Sequence, residues 1–270
     1  MTLRRTKREK AATPALIDLQ NVRVMRGPKA VLDDFTLCIE PQEHIAILGP
    51  NGCGKSTLIK TLTRELYPVP RENSSIAILG RERWNVFELR TLLGIVSNDL
   101  MALCTSEVTA MDVVLSGFFS STQVFDHHHV TRDQRMRAAQ ALERLGAAHL
   151  ADRPVDELSS GEAKRILIAR ALVHEPRALV FDEPANSLDV YAQHGLRETM
   201  RQLAQSGIGI VLVTHHVADI IPEIERVVLM SNGKIVADGP KEKMLVPALL
   251  SHLFEIRVDI TRRDGYYHVW

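Results

Sequence analysis

A glycine-rich segment that directly follows a short apolar run constrains this sequence more than any other feature. The run is Ile45–Leu48, and the segment reads G-P-N-G-C-G-K-S. It fits the pattern G-x-x-x-x-G-K-[S/T], in which small residues allow several backbone N–H groups to converge on a phosphate. Its residues are Gly49, Pro50, Asn51, Gly52, Cys53, Gly54, Lys55 and Ser56. The sequence therefore predicts a strand, a tight loop and a helix whose N-terminus binds phosphate.

The side chains of this loop have expected roles in nucleotide binding. Lys55 would reach the β- and γ-phosphates, the Ser56 hydroxyl would bind Mg²⁺, and Thr57 would add a hydroxyl near the α-phosphate. Cys53 has two interpretations: a small residue at a variable loop position, or a thiol made reactive by the helix N-terminus. A glycine-rich turn with an unrelated lysine is the alternative for the whole segment, and the flanking strand and helix argue against it.

Two further apolar runs indicate a parallel sheet with a site at one edge. Ala178–Phe181 ends before Asp182 and Glu183, and Ile210–Val213 is a similar run. Continuous apolar runs are typical of strands buried on both faces, and ligands of such sheets bind beyond the carboxyl ends of the strands. We expect Asp182 to act on Mg²⁺ through a bound water or from just outside the direct ligands, and Glu183 to polarise an attacking water. A surface acidic pair at a turn is the alternative.

Helices and hairpins are predicted between and after these strands. Residues from Thr131 to Leu145 are strong helix formers, and Gly146 follows as a stop. A second helix carries the apolar stripe formed by Ile166, Ala169 and Leu172. Asn-Gly and Asp-Gly turns predict two hairpins. These hairpins would join Val227–Met230 to Lys234–Val236 and Ile256–Val258 to Tyr266–His268.

Composition narrows the class of protein further. Hydrophobic residues make up 45% of the 270, and 24% are charged, which is typical of a globular chain. The 33 basic and 33 acidic residues cancel, so nothing favours a nucleic-acid partner. The apolar runs fall short of the roughly 20 residues that cross a bilayer. Cysteines without a C-x-x-C pair indicate a reduced, intracellular setting. The basic segment 1–13 is expected to be a flexible tail, with contact to anionic lipid or RNA as the alternative.

With these motifs in place, the sequence resembles the ATP-binding domains of ABC transporters and their soluble relatives. Residues 158–162, L-S-S-G-E, are similar to the family signature L-S-G-G-Q, and S-L-D, ending at Asp189, is similar to its D-loop. His215 in V-T-H is similar to the switch histidine, which steadies the γ-phosphate or the water. The resemblance assigns the following signature-side residues to the nucleotide: Ser159, Ser160, Gly161, Glu162 and Asp189. An ordinary serine N-cap is the alternative for L-S-S-G-E.

The resemblance implies an α/β fold with a P-loop NTPase core, a mostly parallel sheet, an antiparallel β edge subdomain and an inserted helical subdomain. One ATPase domain would span residues 14–270, with the helical insertion at roughly 98–162. Further implications are ATP and Mg²⁺ as ligands, ATP hydrolysis, head-to-tail pairing of two copies on ATP, and a transmembrane permease as partner. The implied location is the cytoplasm, with attachment to the inner face of the cell membrane as an alternative. A soluble nucleotide-gated interaction module without a permease is the alternative function.

The sequence also departs from the family pattern at three places. Asn98 stands where the Q-loop glutamine is usual, so its reach towards Mg²⁺ is shorter by one methylene. Ser160 and Glu162 replace a glycine and a glutamine of the signature. Met25 or Arg26 stands where an aromatic residue would stack on adenine, and the guanidinium plane of Arg26 can stack in its place. These variants resemble a subgroup related to molybdate-associated ATP-binding proteins and to soluble ABC ATPases.

Overall fold

The computed structural model describes residues 13–97 and 108–270, so Asn98 and most of the predicted basic tail lie outside the described residues. The strands are β1 (Ile17–Arg26), β2 (Lys29–Ile39), β3 (His44–Leu48), β4 (Ser75–Ile78), β5 (Leu93–Val96), β6 (Ala178–Asp182), β7 (Gly209–Thr214), β8 (Arg226–Ser231), β9 (Lys234–Pro240), β10 (Ile260–Arg263) and β11 (Tyr266–Val269). The α-helices are α1 (Lys55–Leu62), α2 (Val86–Leu92), α3 (Ala110–Ser116), α4 (Arg132–Arg144), α5 (Ser160–Leu172), α6 (Val190–Gln205), α7 (Lys241–Met244) and α8 (Pro247–Phe254). Short 3-10 helices cover Gly117–Phe119, Ala148–Leu150, Val155–Glu157 and Val217–Asp219.

The central sheet has six strands in the order β5-β6-β7-β3-β8-β9. Strand β3 lies between β7 and β8 and runs parallel to both, with Ile45 opposite Val211 on one side and Ile47 opposite Val228 on the other. Only β9 is antiparallel to its neighbour. All the residues of β7 are buried, as expected for a strand covered on both faces. The parallel register confirms the predicted sheet and brings the carboxyl ends of β3, β6 and β7 to one edge.

The sheet separates two hydrophobic cores among the described residues. Side chains of β3 alternate between them, because successive residues of a strand point to opposite faces. Ile45 and Ile47 pack into the core shared with β1 and β2, whereas Ala46 and Leu48 pack into the core shared with the helices. The glycine-rich loop is therefore anchored by a strand that both cores hold in place.

An antiparallel sheet in the order β2-β1-β4 covers one of these cores. Ile17 of β1 lies opposite Ile39 on one side and Ile78 on the other. This sheet is the predicted antiparallel β subdomain. The start of β2 reaches the glycine-rich loop, since a Cβ added at Gly54 would lie 2.9 Å from the Val31 carbonyl oxygen.

Helices α3, α4 and α5 pack against one another and against the other face of the central sheet. Each begins at a side-chain cap: Thr109 for α3, Thr131 for α4 and Ser159 for α5. Gly146, with φ of 61°, follows the C-cap of α4, as its sequence position predicted. The predicted helices thus form, with ends within one or two residues of the expected ones.

One hairpin forms as predicted and the other is displaced. Strands β8 and β9 flank the Asn232–Gly233 turn. The second hairpin turns at Asp264–Gly265, but its first strand is β10, so the prediction of a strand at Ile256–Val258 was wrong. Arg263 pairs directly with Tyr266, and this two-residue loop fixes the register so that Asp259 meets Trp270 through two backbone hydrogen bonds and residues 256–258 lie beyond the paired positions.

Candidate nucleotide-binding site

The glycine-rich loop lies between β3 and α1, and its backbone is compatible only with glycine at two positions. A Cβ at Gly49 would lie 2.2 Å from the Met230 carbonyl oxygen, because β8 crowds this residue. Gly54 caps α1 with φ of 113°, in the left-handed region that side chains disfavour. The first turn of α1 therefore presents to the loop N–H groups that have no partner within the helix, which is the geometry that binds anions.

Lys55 lies inside the loop with only 5% of its side chain exposed. Its Nζ donates to the carbonyl oxygens of Gly49, at 2.7 Å, and Pro50, at 3.0 Å. The same ammonium lies 3.2 Å from Oε1 of Glu183. All these partners are oxygen acceptors, so phosphate oxygens entering the loop offer Lys55 an equivalent set of bonds.

Glu183 links the loop to His215. It follows β6 with φ of 46°, a left-handed backbone that turns its side chain out of the strand direction, and its N–H donates to the Val213 carbonyl oxygen at 2.8 Å. Its Oε2 lies 2.5 Å from Nδ1 of His215. Because a carboxylate only accepts, Nδ1 carries the proton. Lys55, Glu183 and His215 thus form one hydrogen-bonded group at the sheet edge.

The chemistry of the neighbouring side chains fits a magnesium ion. Asp182 is the last residue of β6 and is half-buried, and Ser56 presents an exposed hydroxyl in the first turn of α1. Carboxylate and hydroxyl oxygens are the hard ligands that Mg²⁺ selects, usually together with water and phosphate. Thr57 is buried in α1 with 4% exposure. The predicted third ligand, Asn98, lies outside the described residues.

The signature-like residues form a second group, around the start of α5. The Ser159 hydroxyl caps the helix by accepting from the Glu162 N–H, and Oε2 of Glu162 accepts from the Ser159 N–H at 2.8 Å and from its hydroxyl at 2.7 Å. These bonds lower the pKa of Glu162. Glu162 also lies 3.2 Å from Arg153. Glu162 therefore completes a capping box, a role that glutamine can also fill, and the N-cap interpretation describes the local geometry.

This second group opens onto a cavity of about 490 Å³ rather than onto the glycine-rich loop. Ser160, Gly161 and Asp189 line the cavity together with residues of α6 between Tyr191 and Gln202. Asp189 also caps α6, accepting from the Ala192 N–H at 2.7 Å. The residues predicted to contact nucleotide therefore divide into a loop group and a signature group within one chain.

Two other predicted residues lie beside the loop. Arg26 ends β1 and is exposed, next to the β1–β2 turn that leads to Val31 and the loop. Cys53 is 4% exposed, and burial raises the pKa of its thiol. A raised pKa makes the reactive thiolate scarce, which favours the packing interpretation of Cys53 over the reactive thiol.

The sequence reasoning missed two buried charged residues near this edge. Lys164 of α5 is 4% exposed, and burial lowers its pKa to about 8, an effect that the negative charge of Asp182 opposes. Asp219, 3% exposed, accepts a hydrogen bond from the buried Thr214 hydroxyl. The inward orientation of Lys164 could have been predicted, because it stands four residues before Ile168 and so lies on the same helix face.

The fold and the residues at this edge of the sheet define the class of protein. A lysine-bearing loop follows the buried strand β3, and an acidic pair lies at the end of β6, two strands away in the sheet. This arrangement is that of a P-loop nucleotide-binding ATPase. The family model described as ABC transporter matches residues 32–186. The chain belongs to the ABC transporter family, as an ATP-binding protein and ATPase of that family.

The comparisons with individual proteins agree with this assignment. An uncharacterised ABC transporter ATP-binding protein, YlmA of Bacillus subtilis, is 32% identical over 250 residues, covering 91% of this chain and 93% of YlmA. The hemin import ATP-binding protein HmuV of Hahella chejuensis is 32% identical over 248 residues, covering 87% and 91%. The solved structure of CbiO1 from Clostridium perfringens, part of the ABC transporter complex CbiONQ, superposes with a TM-score of 0.71 at 26% identity, covering 90% of this chain and 100% of CbiO1.

Within residues 13–97 and 108–270, none of the helices combines the length and the hydropathy that a membrane-spanning segment requires.

Proposed function

We propose that this chain binds Mg·ATP, closes on it together with a second copy, and couples hydrolysis to movement of a transmembrane permease. The observation that supports the proposal most is the division of the predicted nucleotide contacts into a loop group and a signature group. Each group alone offers only part of a triphosphate site, whereas two copies arranged head to tail would present one group of each kind to each nucleotide.

In the proposed loop group, Lys55 and the N–H groups at the start of α1 bind the β- and γ-phosphates, and Thr57 adds a hydroxyl near the α-phosphate. Ser56 and Asp182, with Asn98, would hold the magnesium ion, which neutralises charge on the phosphates during transfer. Arg26 would stack on the base with its guanidinium plane. The remaining loop residues, Gly49, Pro50, Asn51, Gly52, Cys53 and Gly54, would supply backbone contacts.

Glu183 is proposed as the group that orients the attacking water and accepts its proton. Its carboxylate contacts both Lys55 and His215. Phosphate oxygens would draw Lys55 away and leave Glu183 with His215, which steadies it and the γ-phosphate. The carboxylate would then be a stronger acceptor at the time when a water lies in line with the γ-phosphate.

In the proposed dimer, Ser159, Ser160 and Gly161 would close on the γ-phosphate held by the other copy. The start of α5 supports this role, because the Ser160 and Gly161 N–H groups have no partner within the helix and the positive helix end attracts a terminal phosphate. Glu162 would hold Ser159 in place through the capping box. Asp189 would lie at the interface beside the signature. Hydrolysis removes the bridging charge, so the interface can reopen.

We assign residues 14–270 to one ATPase domain, with a helical subdomain inserted at roughly 98–162 and a basic tail before it. The names of two similar proteins support a permease as partner. HmuV is described as a hemin import ATP-binding protein, and CbiO1 as part of an ABC transporter complex. The cargo is left open by this proposal.

A paired experiment tests both parts. Purified Glu183→Gln protein loaded with ATP should have the mass of a dimer in solution, and Glu183→Gln combined with Ser159→Arg should remain a monomer. Tagged wild-type protein should also be recovered with an integral membrane protein from gently solubilised membranes of its source cells. A monomer under all nucleotide conditions contradicts the dimer, and recovery only as a free homodimer favours the soluble module instead.

A further inference from the structure

The turn that follows β7 presents His215 to Glu183, and it is tied to the glycine-rich loop. Thr214 is the last residue of β7 and is fully buried. Its carbonyl oxygen accepts from the Gly49 N–H at 3.3 Å, so the backbone of the loop and of β7 are joined at this residue. The next residue, His215, makes the 2.5 Å contact with Glu183. A small change in the Thr214 backbone would therefore move the histidine directly.

Asp219 fixes this turn from within the protein. The Thr214 hydroxyl donates to Oδ2 of Asp219 at 2.8 Å, and it accepts from the His216 N–H at 3.0 Å. The Asp219 N–H in turn donates to the His216 carbonyl oxygen at 3.2 Å. The backbone of His215 and His216 is thus held by Thr214 on one side and by Asp219 on the other.

A second anchor reaches the same turn from α6. Arg197 donates through Nη1 to the Ala218 carbonyl oxygen at 3.2 Å, and its guanidinium lies 5.6 Å from the ring of Tyr266 on β11. The turn therefore contacts the helix on one side and the C-terminal hairpin on the other. Such bracing leaves the side chain of His215 as the part of this segment that is directed towards the reacting groups.

The burial of Asp219 indicates a specific role for its carboxyl group. Only 3% of the residue is exposed, and burying a carboxyl group is unfavourable unless hydrogen bonds compensate for lost water. Burial raises the pKa of Asp219, and the bond from Thr214 opposes that rise. An apolar side chain of similar size would avoid this loss but could not accept from Thr214.

We propose that Asp219 is a positioning residue for His215, acting through the Thr214 hydroxyl. Asp219 does not touch the reacting atoms. It holds the turn so that Nδ1 of His215 meets Glu183. The inference deepens the proposed function, since it rests on the role proposed there for His215.

Four variants of the full-length protein test this idea: Asp219→Ala, Asp219→Asn, Thr214→Val and the matched control Thr61→Val. Thr61 is also fully buried and loses one hydroxyl bond, to the Thr57 carbonyl oxygen at 2.7 Å, but it lies in α1 away from the turn. Loss of a hydrogen bond that orients a metal-binding side chain reduces activity about 10–100-fold, and we expect the same scale for the bond that positions His215. In Asp219→Ala and Thr214→Val we expect kcat to fall by this factor, while KM for ATP changes little. Asp219→Asn keeps an oxygen that accepts from Thr214, so it should retain most of the activity, and so should Thr61→Val.

Two readouts separate positioning from a general loss of structure. In the background His215→Gln, adding Asp219→Ala should lower kcat no further, because the residue acts through the histidine. In nucleotide-free protein, the low-field NMR resonance of the His215 Nδ1 proton should disappear in Asp219→Ala and persist in Asp219→Asn. An equal loss of kcat in both backgrounds, or an unchanged resonance in Asp219→Ala, would overturn the inference. Normal turnover in His215→Gln would instead contradict the proposed function, and the resonance would still decide whether Asp219 positions the histidine.

Discussion

Replacing Glu183 by glutamine should separate ATP binding from ATP hydrolysis. The change removes one negative charge 3.2 Å from the Lys55 ammonium, in a pair whose side chains are 5% and 17% exposed. Two unit charges at that distance attract by about 5 kcal/mol at an effective dielectric constant near 20. Desolvation of both groups offsets most of this attraction, and about 1–2 kcal/mol remains for a partly buried pair. Because phosphate oxygens would compete with Glu183 for Lys55, the variant should bind ATP about 5–30-fold more tightly.

Hydrolysis should change in the opposite direction. Glutamine can orient a water but cannot take its proton, so turnover should fall by about 10²–10⁴-fold. Equilibrium titration with ATP measures the first effect, and phosphate release at saturating ATP measures the second.

Glu43→Gln is a matched control, because the Glu43 carboxylate is 3.1 Å from Arg226, is 21% exposed and lies at the opposite end of β3. Equal changes in ATP affinity in the two variants would refute the proposed competition for Lys55, and near-normal turnover in Glu183→Gln would refute its role as base.

Three further predictions concern other parts of the molecule. Lys55→Ala should weaken ATP binding by at least about 30-fold, the scale of about 2 kcal/mol for a hydrogen bond to a charged group, and wild-type affinity in a direct titration would contradict the loop assignment. Ser159→Ala and Thr131→Ala each remove a capping box and should each lower the free energy of unfolding in urea by about 0.5–2 kcal/mol. Only Ser159→Ala should also reduce ATPase activity. Equal losses of activity in the two variants would indicate that Ser159 acts only as a helix cap. Burial lowers the pKa of His44. As pH falls below about 6.5, the unfolded chain therefore binds a proton at this residue more readily than the folded chain, and this difference favours unfolding. His44→Gln should therefore lose less stability than wild type between about pH 7.5 and 5.5, and parallel pH profiles would exclude this contribution.

The sheet and the loop could be predicted from the sequence, because few structures can accommodate their residue patterns. Ile45–Leu48 and Ile210–Val213 are continuous apolar runs, which only a doubly covered strand can bury, and the glycines of the loop are required by contacts such as that of Gly49 with β8. The hairpin strand was misplaced because 256–258 (I-R-V) alternates between apolar and charged residues, whereas 260–263 (I-T-R-R) does not. The pairing of Arg263 with Tyr266 nevertheless places the strand at 260–263.

Contacts that depend on tertiary packing could not be predicted from the sequence pattern. Thr214 and Asp219 are close in sequence, but nothing in the residues between them indicates that the carboxyl group turns inward to the hydroxyl. The capping box of Ser159 was foreseen as a local alternative, whereas the cavity beside Asp189 depends on how α5 and α6 pack. Burial of Lys164 likewise depends on the approach of β6 to α5.

The shared core beneath α3, α4 and α5 limits how this chain can be dissected. Val113, Leu142 and Ile166 belong to the same buried cluster as Phe181 and Leu212 of the central sheet. A shortened chain from which residues 110–172 were excised would expose one apolar side of that sheet to water, and it would aggregate rather than refold. Helices α3, α4 and α5 and the strands beneath them should accordingly melt as one cooperative unit.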